Sequence, residues 1–297
     1  MKVMSTVKKR FGDRRDATLV RDADSMHFIM GVIYPNRADN EAFISETIQL
    51  DAINRYLEQK NAVETDFRYT MFHLIVTALL RTVTQRPKMN RFYANQNLYM
   101  RDDVSAAFVV KKQFADDGGE GVVVLHAKED DTLESVHDYI KKVVTQSRSA
   151  DRANQTEEDM NLFNKMPRWL GKAAVRLVRW LERHGWAPKD MVSDDPGQAT
   201  VFLSNLGSIK LKCGYHHLSN WGTNSVFVVI GEKHWQPFYD REGNVTMHEV
   251  VDLGLTVDER IADGYYYAKT VRMLKYLLEH PEELEKPLKE AVDFEEK

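Results

Sequence analysis

Three observations predict an α/β fold in which helices flank a mixed sheet. Apolar, β-prone runs at 199–207, 225–231 and 250–257 crowd the C-terminal third of the chain. Helical patterns alternate with strand-like ones: residues 70–83 are apolar almost all round, as in a buried helix, and 132–147 and 265–278 are also helical in pattern. The 297 residues, 43% apolar and 29% charged, suffice for a large core.

The first 25 residues are rich in charge and poor in apolar periodicity. They predict an arm that orders, if at all, against a partner subunit, ahead of a single domain over 26–297. His27-Phe28-Ile29-Met30-Gly31-Val32-Ile33-Tyr34 is strand-like, as is 42–48 beyond a turn at Pro35-Asn36. A helix is expected from Asp51, an N-cap type, with Ile53 and Leu57 on one face. The buried helix 70–83 stops before Pro87, and a strand of small residues follows at 104–110. Gly118-Gly119-Glu120-Gly121 reads as a turn before a strand at 122–125; it lacks the Lys-Ser/Thr and the spacing of a P-loop. Thr132 and Ser135 offer a cap and its capping-box partner to helix 132–147.

Residues 148–198 read as an insertion. Their helix, expected over 161–184, sets Trp169, Leu170, Leu177 and Trp180 on one face and Arg168, Lys172, Arg176, Arg179 and Arg183 on the other. Gly185 suits a C′ position, and Pro188 prevents re-entry into helix. Three readings stand: packing on the domain or a neighbouring subunit, contact with a membrane surface, or a lid over a substrate channel. Apolar stripes at helical spacing usually mean core, which favours the first. The chain closes with the helix 265–278, His280-Pro281 and an acidic tail expected to be solvated.

Composition excludes several classes. No apolar window is long enough to span a bilayer, and the basic residues 1–15 lead into no apolar signal region. The one cysteine, Cys213, forms no internal disulfide and no all-cysteine metal site. A cytoplasmic protein is the simplest reading, and a net charge of −4 argues against a general nucleic-acid binder.

The functional signal lies at Asp258-Glu259-Arg260-Ile261-Ala262-Asp263-Gly264, a charged turn at the end of an apolar strand. Charges in such a place are costly unless paired or used. The turn resembles the His-x-x-x-Asp-Gly motif of the chloramphenicol acetyltransferase-like acyltransferases, in the Asp-His-Arg-x-x-Asp-Gly form of dihydrolipoamide acyltransferase catalytic domains. Ser204-Asn205-Leu206-Gly207 resembles the same family's Ser-Asn-Leu-Gly segment, and Pro87-Lys88-Met89-Asn90 its Pro-x-x-Asn turn. The resemblance covers roughly 26–284 without the insertion. It implies a two-layer chloramphenicol acetyltransferase-like fold, a homotrimer with the motif loop facing a channel completed by the neighbour, and coenzyme A or acyl-coenzyme A as co-substrate, with no metal. It also implies that Ser204 assists the oxyanion and that Asp263 holds the loop, paired with an arginine for which Arg260, Arg37 and Arg21 are candidates.

Where that family carries its catalytic histidine, this chain has Glu259. A thiol of pKa ~8.5 gives its proton to a carboxylate of ~4.3 at about 3 kcal/mol more than to an imidazole of ~6.5, and burial that raises the carboxyl to about 6–7 closes most of the gap. His216 and His217 are the other candidate bases, of which at most one faces a given site; a surface or core role remains the simpler reading for both. The expected function is acyl transfer between a coenzyme A-type thioester and an acceptor that is a small molecule or carrier-bound. The alternative is a catalytically silent binding or scaffold subunit of the same fold.

Overall fold

The computed structural model describes residues 8–64, 66–111, 120–148, 167–188, 192–193 and 195–294. Its elements are β1 (Ala17–Leu19), α1 (Ser25–Ile33), β2 (Glu41–Gln49), α2 (Asp51–Asn61), α3 (Met71–Gln85), β3 (Arg91–Ala94), β4 (Asn97–Arg101), β5 (Val104–Lys111), β6 (Glu120–Ala127), α4 (Leu133–Arg148), α5 (Arg168–Arg183), β7 (Val201–Asn205), β8 (Val226–Ile230), β9 (His234–Tyr239), β10 (Val245–Asp258) and α6 (Gly264–Glu279). Seven strands make one mixed sheet in the order β2-β10-β8-β7-β5-β6, with β9 paired to the first half of β10. The β5-β7 and β7-β8 pairs are parallel and the rest antiparallel. A smaller sheet runs β1-β4-β3.

Alternation along the strands builds two layers. Val251, Leu253, Leu255 and Val257 of β10, with Val201 and Leu203 of β7, join Leu74, Leu80, Leu274 and Leu277 of α3 and α6 in the main core. On the opposite face of the sheet, Phe202, Phe227 and Val229 pack with Leu206, Cys213 and Leu218 of the 206–222 connection, which lies flat across the strands. That connection explains a glycine in the middle of β10. A Cβ on Gly254 would stand 2.2 Å from the Gly214 carbonyl oxygen, so only glycine lets the two backbones touch.

Four expectations need correction. Residues 27–34 read as a strand, but 27–33 lie in α1 and Tyr34 is its C-cap: the Asp24 side chain accepts from the His27 backbone N–H at 2.9 Å, and this N-cap outweighs local β propensity. The N-terminal residues from 8 onward order against their own chain rather than a partner, with β1 paired to β4 and Arg14 buried. Among the described residues the acidic tail keeps Glu282, Glu285, Glu290 and Asp293 exposed but docks Leu284 and Leu288 in the core, and Arg81 donates to the Glu283 and Glu290 carbonyls. The insertion helix leaves Trp169, Leu177 and Trp180 exposed, so within one chain these side chains do not pack on the domain, which leaves a neighbouring subunit, a membrane surface or a lid role for them. Residues 112–119 and 149–166, which include Gly118 and the first turns of the helix expected from 161, lie outside the described residues.

The start of α3 carries a pH dependence. His73 accepts the Thr70 backbone N–H on Nδ1 at 3.0 Å, the return half of a capping box, and its Nε2 is buried with no partner among the described residues. Burial, with the neighbouring His137 adding to it, lowers its pKa from 6.5 to about 4. The unfolded chain therefore takes up this proton below about 6.5, whereas the folded chain takes it up only near 4. Stability falls as pH drops through that window, by about 3 kcal/mol. His73→Gln keeps an acceptor for Thr70 but does not titrate. Its urea midpoint falls less between pH 7.5 and 4.5 than that of the wild type; equal falls would show that His73 does not drive the acid response.

Candidate active site

β10 delivers the charged turn. Asp258, fully buried, ends the strand, and Arg260 grips it with a two-pronged fork, Nε to Oδ1 at 2.8 Å and Nη2 to Oδ2 at 2.6 Å. The free prong of Arg260 reaches the Tyr34 carbonyl at 2.6 Å, and its guanidinium lies 4.4 Å from the centre of the Tyr93 ring. Arg37 approaches the same carboxylate at 3.8 Å while donating to the carbonyls of Ser219 and Tyr93 at 2.7 and 3.1 Å. Burial brings Arg37 down to about 10, against the pull of Asp258 in the other direction. Two cations around one buried anion thus fix the turn to β2, α1 and the 206–222 connection.

Anchored between Asp258 and Arg260, Glu259 points outward. Its backbone N–H bonds the Asn40 carbonyl at 2.9 Å, while its exposed carboxylate has no hydrogen bond or ion pair among the described residues. Asp263 is the N-cap of α6 and accepts from the Tyr266 backbone N–H at 2.9 Å; that bond lowers its pKa, helped by Lys88 3.7 Å away. None of the three candidate arginines pairs with it. Arg260 and Arg37 serve Asp258, and Arg21 pairs with Asp13 at 2.9 Å. The residue that the sequence reading passed over is Asp258. Its signal was a carboxylate at the last position of an apolar strand, two residues before an arginine.

Ser204 lies elsewhere. On β7 it faces the back of the sheet with Phe202, and its register partner on β8, Val229, is opposite Gly254 on β10. Glu259 is five residues beyond Gly254, about 16 Å along the strand direction. One chain therefore keeps its serine and its glutamate apart. The two histidines sit between them: His216 stacks on Phe227 at 4.3 Å and donates its Nδ1–H to the His217 carbonyl at 2.9 Å, and His217 stacks on His216 at 4.6 Å, both exposed. The next residue, Leu218, gives its backbone N–H to Glu41, which pairs across the strands with Asp258. The connection thus carries His217 toward the Glu259 end of the sheet, without a hydrogen bond from its ring to either Ser204 or Glu259.

Comparison with known proteins fits this geometry. Residues 184–285, about a third of the chain and the stretch holding Ser204, Glu259 and Asp263, match the family model "2-oxoacid dehydrogenases acyltransferase (catalytic domain)". The probable dihydrolipoamide acetyltransferase of Listeria monocytogenes 4b F2365 superposes with a TM-score of 0.57 at 14% identity, over 86% of this chain and 89% of that one. The dihydrolipoamide acetyltransferase of Azotobacter vinelandii, investigated for the role of a serine, a histidine and an asparagine in its catalytic mechanism, gives 0.58 at 16% identity over 87% and 88%. A chloramphenicol acetyltransferase gives 0.52 at 11% identity over 88% and 99%. No curated protein sequence compared with the chain matches it. The fold is the chloramphenicol acetyltransferase-like α/β fold, as the Ser204–Gly207 and Asp258–Gly264 motifs implied.

Proposed function

On that fold, and on a C-terminal segment matched by an acyltransferase catalytic domain, we propose that this chain is a trimeric acyltransferase that moves an acyl group between a coenzyme A-type thioester and a small-molecule or carrier-bound acceptor. The observation that carries the reading is the turn itself. A buried Asp258–Arg260 fork holds it rigid, and it projects one unpaired carboxylate, Glu259, at the position where the resembling family keeps its base.

Each residue then has a task. Glu259 takes the proton of the incoming thiol, and the sulfur attacks the thioester carbonyl to form a new C–S bond. Ser204 donates its hydroxyl to the tetrahedral oxyanion. Collapse breaks the old C–S bond, and the departing thiolate recovers the proton from Glu259. Asp263 holds the loop through the α6 cap rather than through an arginine. His217 remains the second candidate base.

The separation of Ser204 from Glu259 supports assembly. Both residues serve one substrate only where a neighbouring copy brings its Ser204 opposite this copy's Glu259. Light scattering of the dilute protein therefore reports about three times the 34.4 kDa of the chain. Co-refolding Ser204→Ala chains with Glu259→Gln chains rebuilds intact sites at about a quarter of the interfaces and raises transfer above that of either variant alone. A monomer at micromolar concentration, or no gain on mixing, would sink the shared site. The reaction is tested by thiol release from acetyl-coenzyme A and longer acyl thioesters in the presence of candidate acceptors. Silence of both wild type and Glu259→His across that series would leave the scaffold reading in its place.

A further inference from the structure

We infer that α5 is a membrane-surface helix, which lays its apolar face in the interfacial layer of an anionic phospholipid bilayer and carries the whole molecule to it. The proposal is independent of the acyl-transfer reading.

The first support is charge. Arg168, Lys172, Arg176, Arg179 and Arg183 recur every three or four residues, so they form one stripe along the helix. No acid interrupts that stripe, and none of the five forms an ion pair with a described residue. The single acid of α5, Glu182, is buried and occupied by Arg14, Nη2 to Oε1 at 3.2 Å. The second support is the exposed apolar surface beside the stripe. Trp169 is 72% exposed, Leu177 57% and Trp180 48%. Trp169 and Trp180 are eleven residues apart and therefore nearly aligned, at the border between cations and aliphatic side chains.

Attachment is the third. The helix meets the body of the protein at its C-terminal end, where Arg14 donates to the Glu182 carbonyl at 2.7 Å and its stem fills the space that a side chain on Gly185 would need. In the preceding turns Trp169, Leu170, Leu177 and Trp180 stay exposed, while Ala174, Val178 and Leu181 are half-buried. Sixteen residues span about 24 Å, and no helix among the described residues is long and apolar enough to cross a membrane. The helix is therefore built to lie in the interface, with aliphatic groups under the headgroups, tryptophans at headgroup level and cations on the phosphates. A protein-packing helix has no use for a border of tryptophans beside five cations that form no ion pair with a described residue. An anionic bilayer satisfies both at once.

The test is sedimentation of the purified full chain with phosphatidylcholine vesicles and with vesicles that also contain phosphatidylserine, with tryptophan emission as a second readout. The wild type binds only the anionic vesicles, shifts its emission to the blue and is released by salt. Lys172→Glu/Arg176→Glu weakens binding by at least about thirtyfold, and Trp169→Ala/Leu177→Ala weakens it as well, both with unchanged far-ultraviolet circular dichroism and unchanged mass in solution. Four outcomes would overturn the proposal: no binding to anionic vesicles, equal binding to neutral ones, binding indifferent to Trp169→Ala/Leu177→Ala, or a change of oligomeric mass in that variant. The last would make the face an interface between copies.

Discussion

Glu259→Gln lowers acyl transfer by about 10²–10⁴-fold, the usual span for a lost general base, while leaving the fold intact. The structure supports the second half of that expectation: the Glu259 side chain is exposed and has no hydrogen bond or ion pair with a described residue, so nothing in the described core depends on it. The pH–rate profile separates a base from a bystander. The wild-type rate rises as a carboxyl loses its proton, and the Gln variant loses that limb. Glu259→His moves the limb toward the ordinary histidine range near 6.5 and retains or raises activity, because imidazole is better matched to a thiol. If Glu259→Gln transfers acyl groups at the wild-type rate, the base is elsewhere, and the stacked pair His216 and His217 becomes the next place to look.

Asp258→Ala is expected to be the most destabilising substitution near the site. It leaves Arg260 and Arg37 buried without their carboxylate, which costs about 3–5 kcal/mol. That is a large share of the roughly 5–15 kcal/mol by which domains are stable. The double variant Asp258→Leu/Arg260→Met removes both members of the fork and loses less than Asp258→Ala alone. Urea midpoints of the three proteins decide it. A loss under about 1 kcal/mol in Asp258→Ala would mean that water reaches the arginines and that the fork does not hold the turn.

The parts of the fold that could be read from sequence were those with a single strong period. Residues 70–83 were apolar almost all round and became the buried α3; the apolar runs at 199–207, 225–231 and 250–257 contain β7, β8 and the half of β10 that pairs with β2 and β8. α1 escaped because Phe28, Ile29, Val32 and Ile33 favour strands by type, and the deciding information was one capping bond from Asp24. Within the site, the turn was legible because charge at the end of an apolar strand demands an explanation. Its wiring was not: which of three arginines meets which of two aspartates depends on where α1 and the 206–222 connection pass in space. Nor could spacing along the chain show that Ser204 and Glu259 are offset by about 16 Å along the strand direction.

The pairing of β2 with β10 sets the timetable of synthesis. β2 is complete by residue 49, and its one partner strand among the described residues begins at residue 245. At 5–20 residues per second, a ribosome takes roughly 10–40 s to supply that partner. During that interval the half-apolar strand Ala42-Phe43-Ile44 has an unsatisfied backbone edge, which other nascent chains could pair with. The sheet is completed only when almost the whole chain has emerged, so a ribosome stalled before β10 leaves a product without the strand that joins β2, β8 and β9. Such truncated chains are candidates for chaperone capture.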